Sequence, residues 1–209
     1  MEILGIQIGK PEPTNAKSGL TGHFKKPVPS VQITDQGLVG DTICDKKHHG
    51  GVDQAVYIFG EPDRLWWEAT LKRPTPPGFF GENLLISDLC SAKLNLGDIF
   101  EIGETLLQIT SPRIPCATYA AHIGSGQAIK QFYAAERPGA YARVLRAGSV
   151  TTGMAVRHQP FDGPKITIID NMRAYLDGFS DADFLCKALQ TPAHYKLHAE
   201  ARQRLGLPL

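Results

Sequence analysis

Apolar positions recur every second residue in several short stretches of the chain. EILGIQIG alternates from Ile3, and VPSVQIT does so around Val28, Val31 and Ile33. That period puts successive side chains on opposite faces of a strand, so each stretch predicts a half-buried strand. QAVYIFG, rich in β-branched and aromatic residues, predicts another. GDIFEIGETLLQITS carries Ile99, Phe100 and Ile102, a Gly-Glu turn at 103–104, then Leu106, Leu107 and Ile109, which is a hairpin pattern. YARVLRAG and SVTTGMAVRHQ predict two more strands. Many short strands with frequent Gly and Pro argue for a closed barrel or a sandwich.

Two helices interrupt the strands. EPDRLWWEATL has an early proline and acids in its first turn. GQAIKQFYAAERPG places Ile129, Phe132 and Tyr133 at helical spacing and stops before Pro138. Beyond HQPFDGP the β signal fades, and a boundary falls near 160–166. TIIDNMRAYLDG, SDADFLCKALQ and TPAHYKLHAEARQRLG each read as a short helix, with Ser180 and Thr191 as N-caps, Pro192 at the first helical position and Gly178 and Gly206 at helix ends.

Composition narrows the classes. The chain has 209 residues, 42% hydrophobic and 21% charged, with net charge +1. That supports a sizeable core and gives no global basic field for nucleic acid. The opening MEILGIQIGKPEP has no basic n-region, and no apolar run reaches the ~20 residues that span a bilayer. A cytoplasmic protein is expected. Cys44, Cys90, Cys116 and Cys186 are scattered without a C-x-x-C pair, so free thiols are expected rather than a disulfide framework.

The densest polar chemistry lies in GLVGDTICDKKHHGGVDQAVY. Two glycine turns bracket Asp41, Asp45, Lys46, Lys47, His48 and His49, and Asp53 follows. Glycines beside histidines let backbone approach a ligand closely, and turn N–H groups hold anions. A solvated turn between strands is the competing reading, and composition leaves both open. Adjacent histidines point apart on extended backbone, which disfavours a zinc site built from Cys44, His48 and His49. FFGENLLI inserts Glu82 and Asn83 into an apolar run, where they either bond a ligand or tie a turn through the backbone. Lys25 and Lys26 precede a strand, and Arg113, Arg143 and Arg146 lie on predicted strands or their ends. Those arginines with Lys26, Lys46 and Lys47 form an anion site if the fold gathers them.

SPRIPCATY fixes φ at Pro112 and Pro115, just ahead of a helix expected from Ala117. A thiol at a helix start beside Arg113 has a depressed pKa and ligates soft metals. A buried, inert thiol is the competing reading for Cys116. Cys44 is a weaker candidate, and Cys90 and Cys186 read as packing residues.

Taken together, GLVGD, KKHHGGVDQAVYIF, GFFGENL and SPRIPC occur in an order and spacing that resemble the MOSC domain family, from about Thr21 to Leu209. The last three helices resemble the small domain that follows in a bacterial subgroup, whose members detoxify N-hydroxylated bases such as 6-hydroxylaminopurine. The resemblance implies a mainly β fold. Residues 1–163 would form a closed or partly open β-barrel of the pyruvate-kinase type with a few helices, and residues 164–209 a C-terminal three-helix unit. It implies a molybdopterin-type molybdenum cofactor. Cys116 carries over as catalytic residue and molybdenum ligand, and His49 as its catalytic companion. Lys26, Asn83, Arg113 and Arg143 carry over as cofactor-binding positions. After the cysteine, Ala117, Thr118 and Tyr119 depart from the family pattern.

The implied reaction reduces N–OH groups of a small-molecule substrate to N–H. Its electrons come from a separate reductase, because the chain has no strand–GxGxxG–helix unit for flavin or nicotinamide. The other function class is a non-catalytic carrier that holds the cofactor, or a sulfur on Cys116. No nucleic-acid or membrane partner is expected, and a homodimer is compatible with the sequence.

Overall fold

The computed structural model describes residues 1–14, 19–44 and 49–208. In chain order its strands begin with β1 (Ile3–Ile8), β2 (Glu12–Pro13), β3 (Leu20–Thr21), β4 (Lys26–Val28), β5 (Ser30–Thr34), β6 (Gly37–Leu38) and β7 (Val56–Gly60). Helix α1 (Glu61–Leu71) leads to β8 (Leu84–Ile86), β9 (Ile99–Ile102) and β10 (Thr105–Pro112). Helices α2 (Ala117–Ile123) and α3 (Ala128–Ala135) precede β11 (Ala140–Arg146), β12 (Gly148–Thr151) and β13 (Arg157–Gln159). The chain ends in α4 (Ile168–Leu176), α5 (Ala182–Ala188) and α6 (Tyr195–Arg204). The fold is sheet-dominant and mixed, with six α-helices among the described residues. None of these helices is long and apolar enough to cross a membrane.

The main sheet runs β13-β9-β10-β11-β7-β8-β1-β4. Its pairs are antiparallel except β7–β8, which is parallel and therefore needs a crossover connection; α1 supplies it. Strands β12-β5-β6 form a second sheet and β2-β3 a third. Among the described residues no ladder joins the outer strands β13 and β4. The chain just ahead of β13 does reach β1: Ile3 N bonds Met154 O at 3.0 Å, Val156 N bonds Met1 O at 2.9 Å, and Glu2 bridges Ala155.

Strand β7 explains the layering. All five of its residues are buried. Val56 and Ile58 join one apolar cluster, and Tyr57 and Phe59 join an aromatic one on the opposite face. A strand covered on both sides needs no polar alternation, which is why QAVYIFG shows none. The first cluster unites sheet residues such as Ile3, Phe100 and Ile109 with Ile168, Met172 and Leu197 of the C-terminal helices. Sheet and tail therefore share a core, each fully buried large side chain contributing about 1.5–3 kcal/mol. The second cluster packs Trp67 of α1, Phe80, Tyr119 of α2 and Phe132 of α3 against β7.

Several expected boundaries move. VPSVQIT splits into β4 and β5 in different sheets, because Pro29 between them has no N–H for a continuous ladder. SVTTGMAVRHQ splits into β12 and β13 around Gly153, whose φ is 87°. The cap of α5 is Asp181 rather than Ser180; its carboxylate accepts from the N–H groups of Asp183 and Phe184. The cap of α6 is His194 rather than Thr191. The Thr191 hydroxyl instead donates to Ala188 O at 2.8 Å and closes α5, so Pro192 lies in the linker. The β9–β10 hairpin turns at Gly103-Glu104 as expected, with Thr105 opposite Ile102. Gly178 and Gly206 both take φ 67° at helix ends, as expected.

Candidate functional site

Strand β10 stops at Pro112 and α2 starts at Ala117, so residues 113–116 form a short rigid link. Cys116 is the N-cap of α2 with extended backbone, φ −125° and ψ 175°. The thiol faces a cleft lined also by His49, Gln54, Tyr57, Asn83 and Arg113. Burial pushes the thiol pKa up. A hydrogen bond from His49, the Arg113 charge and the Tyr119 N–H outweigh burial and bring it down to about 6.

Arg113 is 5% exposed. Its Nη1 donates to Phe80 O, and its guanidinium lies 5.0 Å from the Tyr57 ring centroid and 5.7 Å from that of Tyr119. Burial opposes the charge, while Tyr57, Tyr141 and Cys116 favour it strongly enough that the pKa is raised. Two aromatic faces and a carbonyl thus hold a buried cation. Its Nε has no hydrogen-bond partner.

The GENL segment forms the neighbouring wall. The buried Glu82 carboxylate accepts from Gly78 N at 2.5 Å and Phe80 N at 3.1 Å, so it ties the turn through the backbone. Burial raises its pKa against those same N–H bonds. Asn83 accepts from Tyr57 N at 3.0 Å and donates to Gln7 O at 3.2 Å and Asp41 Oδ2 at 2.8 Å. These bonds fix β1, β7 and Asp41 relative to one another. Asp41 Oδ1 also takes Gly9 N and Lys25 Nζ, each at 2.6 Å. Burial lowers the Lys25 pKa, and Asp41 opposes that shift.

The structure therefore gathers Cys116, His49, Asn83 and Arg113 around one cleft. Three other expected cations lie elsewhere. Lys26 is exposed on β4, and its neighbour Lys25 is the lysine that lines the cleft. Arg143 is held by Asp53 Oδ1 at 3.0 Å and Ala193 O at 2.8 Å, which ties β11 to the linker before α6. Arg146 bonds Glu104 O at the hairpin. Asp45, Lys46, Lys47 and His48 lie outside the described residues. Cys44 lines the cleft, and all four cysteines are free thiols.

Sequence reasoning missed His23, Lys25 as distinct from Lys26, and the tyrosines 57 and 141, all of which line the cleft. The tyrosines were hidden inside strand patterns. His23 had one signal, a histidine between Gly22 and Phe24 in an otherwise ordinary strand approach. Its Nε2 is buried without a partner.

The donor set suits an anionic ligand that carries a soft metal. It offers a thiol of low pKa, a fixed guanidinium and two unpartnered buried nitrogens. Among the described residues no three His, Cys, Asp or Glu side chains gather to bind a metal ion by themselves.

The chain is similar to several known proteins. The profile of the MOSC domain matches residues 45–157. The uncharacterised protein YflK of Bacillus subtilis is 32% identical over 72% of this chain and 70% of its own length. A protein of Gibberella moniliformis named Reductase is 26% identical over 81% of this chain, which spans only 31% of that larger protein. The crystal structure of YiiM from Geobacillus stearothermophilus superposes with a TM-score of 0.80 at 26% identity, over 98% of each chain.

Proposed function

The chain belongs to the MOSC domain family, and from that premise we propose that it is a molybdenum-cofactor-dependent reductase of N-hydroxylated compounds such as hydroxylaminopurines. The observation that carries the reading is the cleft thiol of Cys116, lowered to about 6 and set beside a buried arginine. Within this reading the main sheet is a partly open barrel and residues 164–209 are its small helical domain.

The balanced change is R–NHOH plus two protons and two electrons giving R–NH2 and water. When bound, the cofactor supplies the two-electron chemistry, and a separate reductase supplies the electrons. The chain's own residues bind, orient and exclude water. Cys116 offers a thiolate to molybdenum, and His49 holds that thiolate by a hydrogen bond. Arg113, with Nε unpartnered, neutralises anionic oxygens of the ligand. Asn83 keeps Asp41 and the strands in place through its three side-chain bonds and acts as a positioning residue. Arg143 fastens the tail to the sheet rather than the cofactor to the cleft.

The test is molybdenum and pterin content after expression in a molybdenum-replete host, for the wild type and Cys116→Ser. The expected result is molybdenum in the first and none in the second. An empty wild type, under conditions that load a control molybdoenzyme, sinks the reading. A loaded protein that fails to reduce 6-hydroxylaminopurine with a chemical electron donor is a carrier instead.

A further inference from the structure

The turn between β3 and β4 holds a histidine whose Nε2 the fold leaves without a partner. His23 N bonds Thr21 Oγ1 at 3.0 Å and Lys25 N bonds His23 O at 2.9 Å, so the backbone there is fixed. The ring packs edge-on against His122 at 5.2 Å and Phe24 at 5.9 Å between centroids. Its Nδ1 side rests on Gly81. That residue has φ 77°, and a Cβ there would sit 2.5 Å from Nδ1. The GENL turn is therefore shaped around this imidazole. An apolar residue would fill the same space, yet the chain keeps, among the residues that line the cleft, a ring whose Nε2 is buried and unpartnered. Leaving a buried polar atom unpaired is unfavourable, and such an atom calls for a partner or a role.

The surroundings say which kind of partner. Burial lowers the His23 pKa well below its usual value, and the charges of Arg113, His122, Lys25 and His49 lower it further. The ring is neutral and stands in a positive field. A neutral imidazole there favours an electron-rich atom on the ligand, met by Nε2–H as donor.

We propose that His23 is a ligand-contacting residue of the cleft, whose Nε2–H donates a hydrogen bond to an electron-rich oxygen of the bound ligand. Within the reductase reading, on which this part rests, that oxygen is the hydroxyl of the N–OH group or an oxygen of the cofactor. In the first case His23 polarises the N–O bond that breaks; in the second it helps retain the cofactor.

Two variants and two measurements decide it. His23→Phe keeps a planar ring without a donor, and His23→Gln places a donor near the position of Nε2. In the ligand-free protein His23→Phe raises Tm by about 2–4 °C, because the unpaired atom is gone. In the loaded protein a contact to substrate oxygen lowers kcat/KM for 6-hydroxylaminopurine at least tenfold in His23→Phe, with unchanged molybdenum content and recovery in His23→Gln. A contact to cofactor oxygen instead lowers molybdenum content in His23→Phe, again with recovery in His23→Gln. A His23→Phe protein with wild-type molybdenum content and kcat/KM overturns the proposal. If the wild type binds no molybdenum, the reductase reading fails by itself, and the ligand-free Tm still judges His23: an unchanged or lower value overturns it.

Discussion

At the start of α1 the Asp63 carboxylate is fully buried and fully paired, whereas the buried polar groups around Cys116 are left with unpaired atoms. Asp63 Oδ1 takes Arg137 Nη1 at 2.6 Å, and Oδ2 takes Ser91 N at 2.8 Å and Ser91 Oγ at 2.5 Å. Arg137 covers the Trp66 ring at 5.0 Å. In the cleft, His23 Nε2 and Arg113 Nε have nothing to bond. Both regions carry desolvated charge on the aromatic layer. The first closes its network with the chain's own atoms and holds the α1 crossover in place. The second leaves bonds open, which stabilises nothing until a ligand supplies them.

The comparison is broken most severely at Cys116. Replacing it by serine is expected to remove bound molybdenum and lower reductase activity at least a hundredfold, while the unfolding free energy at pH 6 changes by under about 1 kcal/mol, as suits a cleft rather than a core position. Metal analysis and chemical denaturation together check this. Asp63→Ala should do the reverse. It strands Ser91 N–H and half-buried Arg137, and should cost about 2–4 kcal/mol; the figure is held below that of a fully enclosed pair because Arg137 reaches solvent. Calorimetry reads the loss, and molybdenum per folded chain should not change.

Glu82→Gln tests the GENL turn beside the cleft. One buried backbone N–H of Gly78 or Phe80 loses its acceptor, at about 1–3 kcal/mol in denaturant unfolding. A further effect is expected in pH dependence. The folded thiol of Cys116 titrates near 6, against an ordinary 9. A depressed pKa contributes stability that is fully present above 9 and lost as pH falls through 6. Stability of the wild type relative to Cys116→Ser should therefore fall across that window. His49→Ala should raise the alkylation midpoint of the Cys116 peptide by about one unit, worth about 1.4 kcal/mol.

Much of the scaffold was legible because it follows from periodicity. β1, the β9–β10 hairpin, α1 and α3 lie where the patterns put them, since each depends on local alternation and local turns. Misplaced boundaries came from competition between neighbouring groups. Thr191 has the chemistry of an N-cap, but Ala188 O claims its hydroxyl first. At the site, the motif residues His49, Asn83, Arg113 and Cys116 do converge. Lys26 and Arg143 do not, because charge and strand location leave open which face a side chain takes. Lys25 enters the cleft and Lys26 faces water, a choice made by the Asp41 carboxylate delivered from a distant turn. His23 was invisible for a related reason: its environment is assembled by Gly81 and His122, residues 58 and 99 positions away in the chain.

The bonds between Met1–Ile3 and residues 153–156 also set a timetable. At ~5–20 residues per second of synthesis, the first three residues wait on the order of ten seconds before Gly153, Met154 and Val156 leave the ribosome to pair with them. Until then the end of β1 is an open edge with Ile3 uncovered, the kind of surface that chaperones bind. Ribosome-bound chains arrested before residue 153 should show rapid amide exchange at Ile3, and full-length chains slow exchange there. The Met1–Ile3 segment is thus among the last parts of the sheet to be secured.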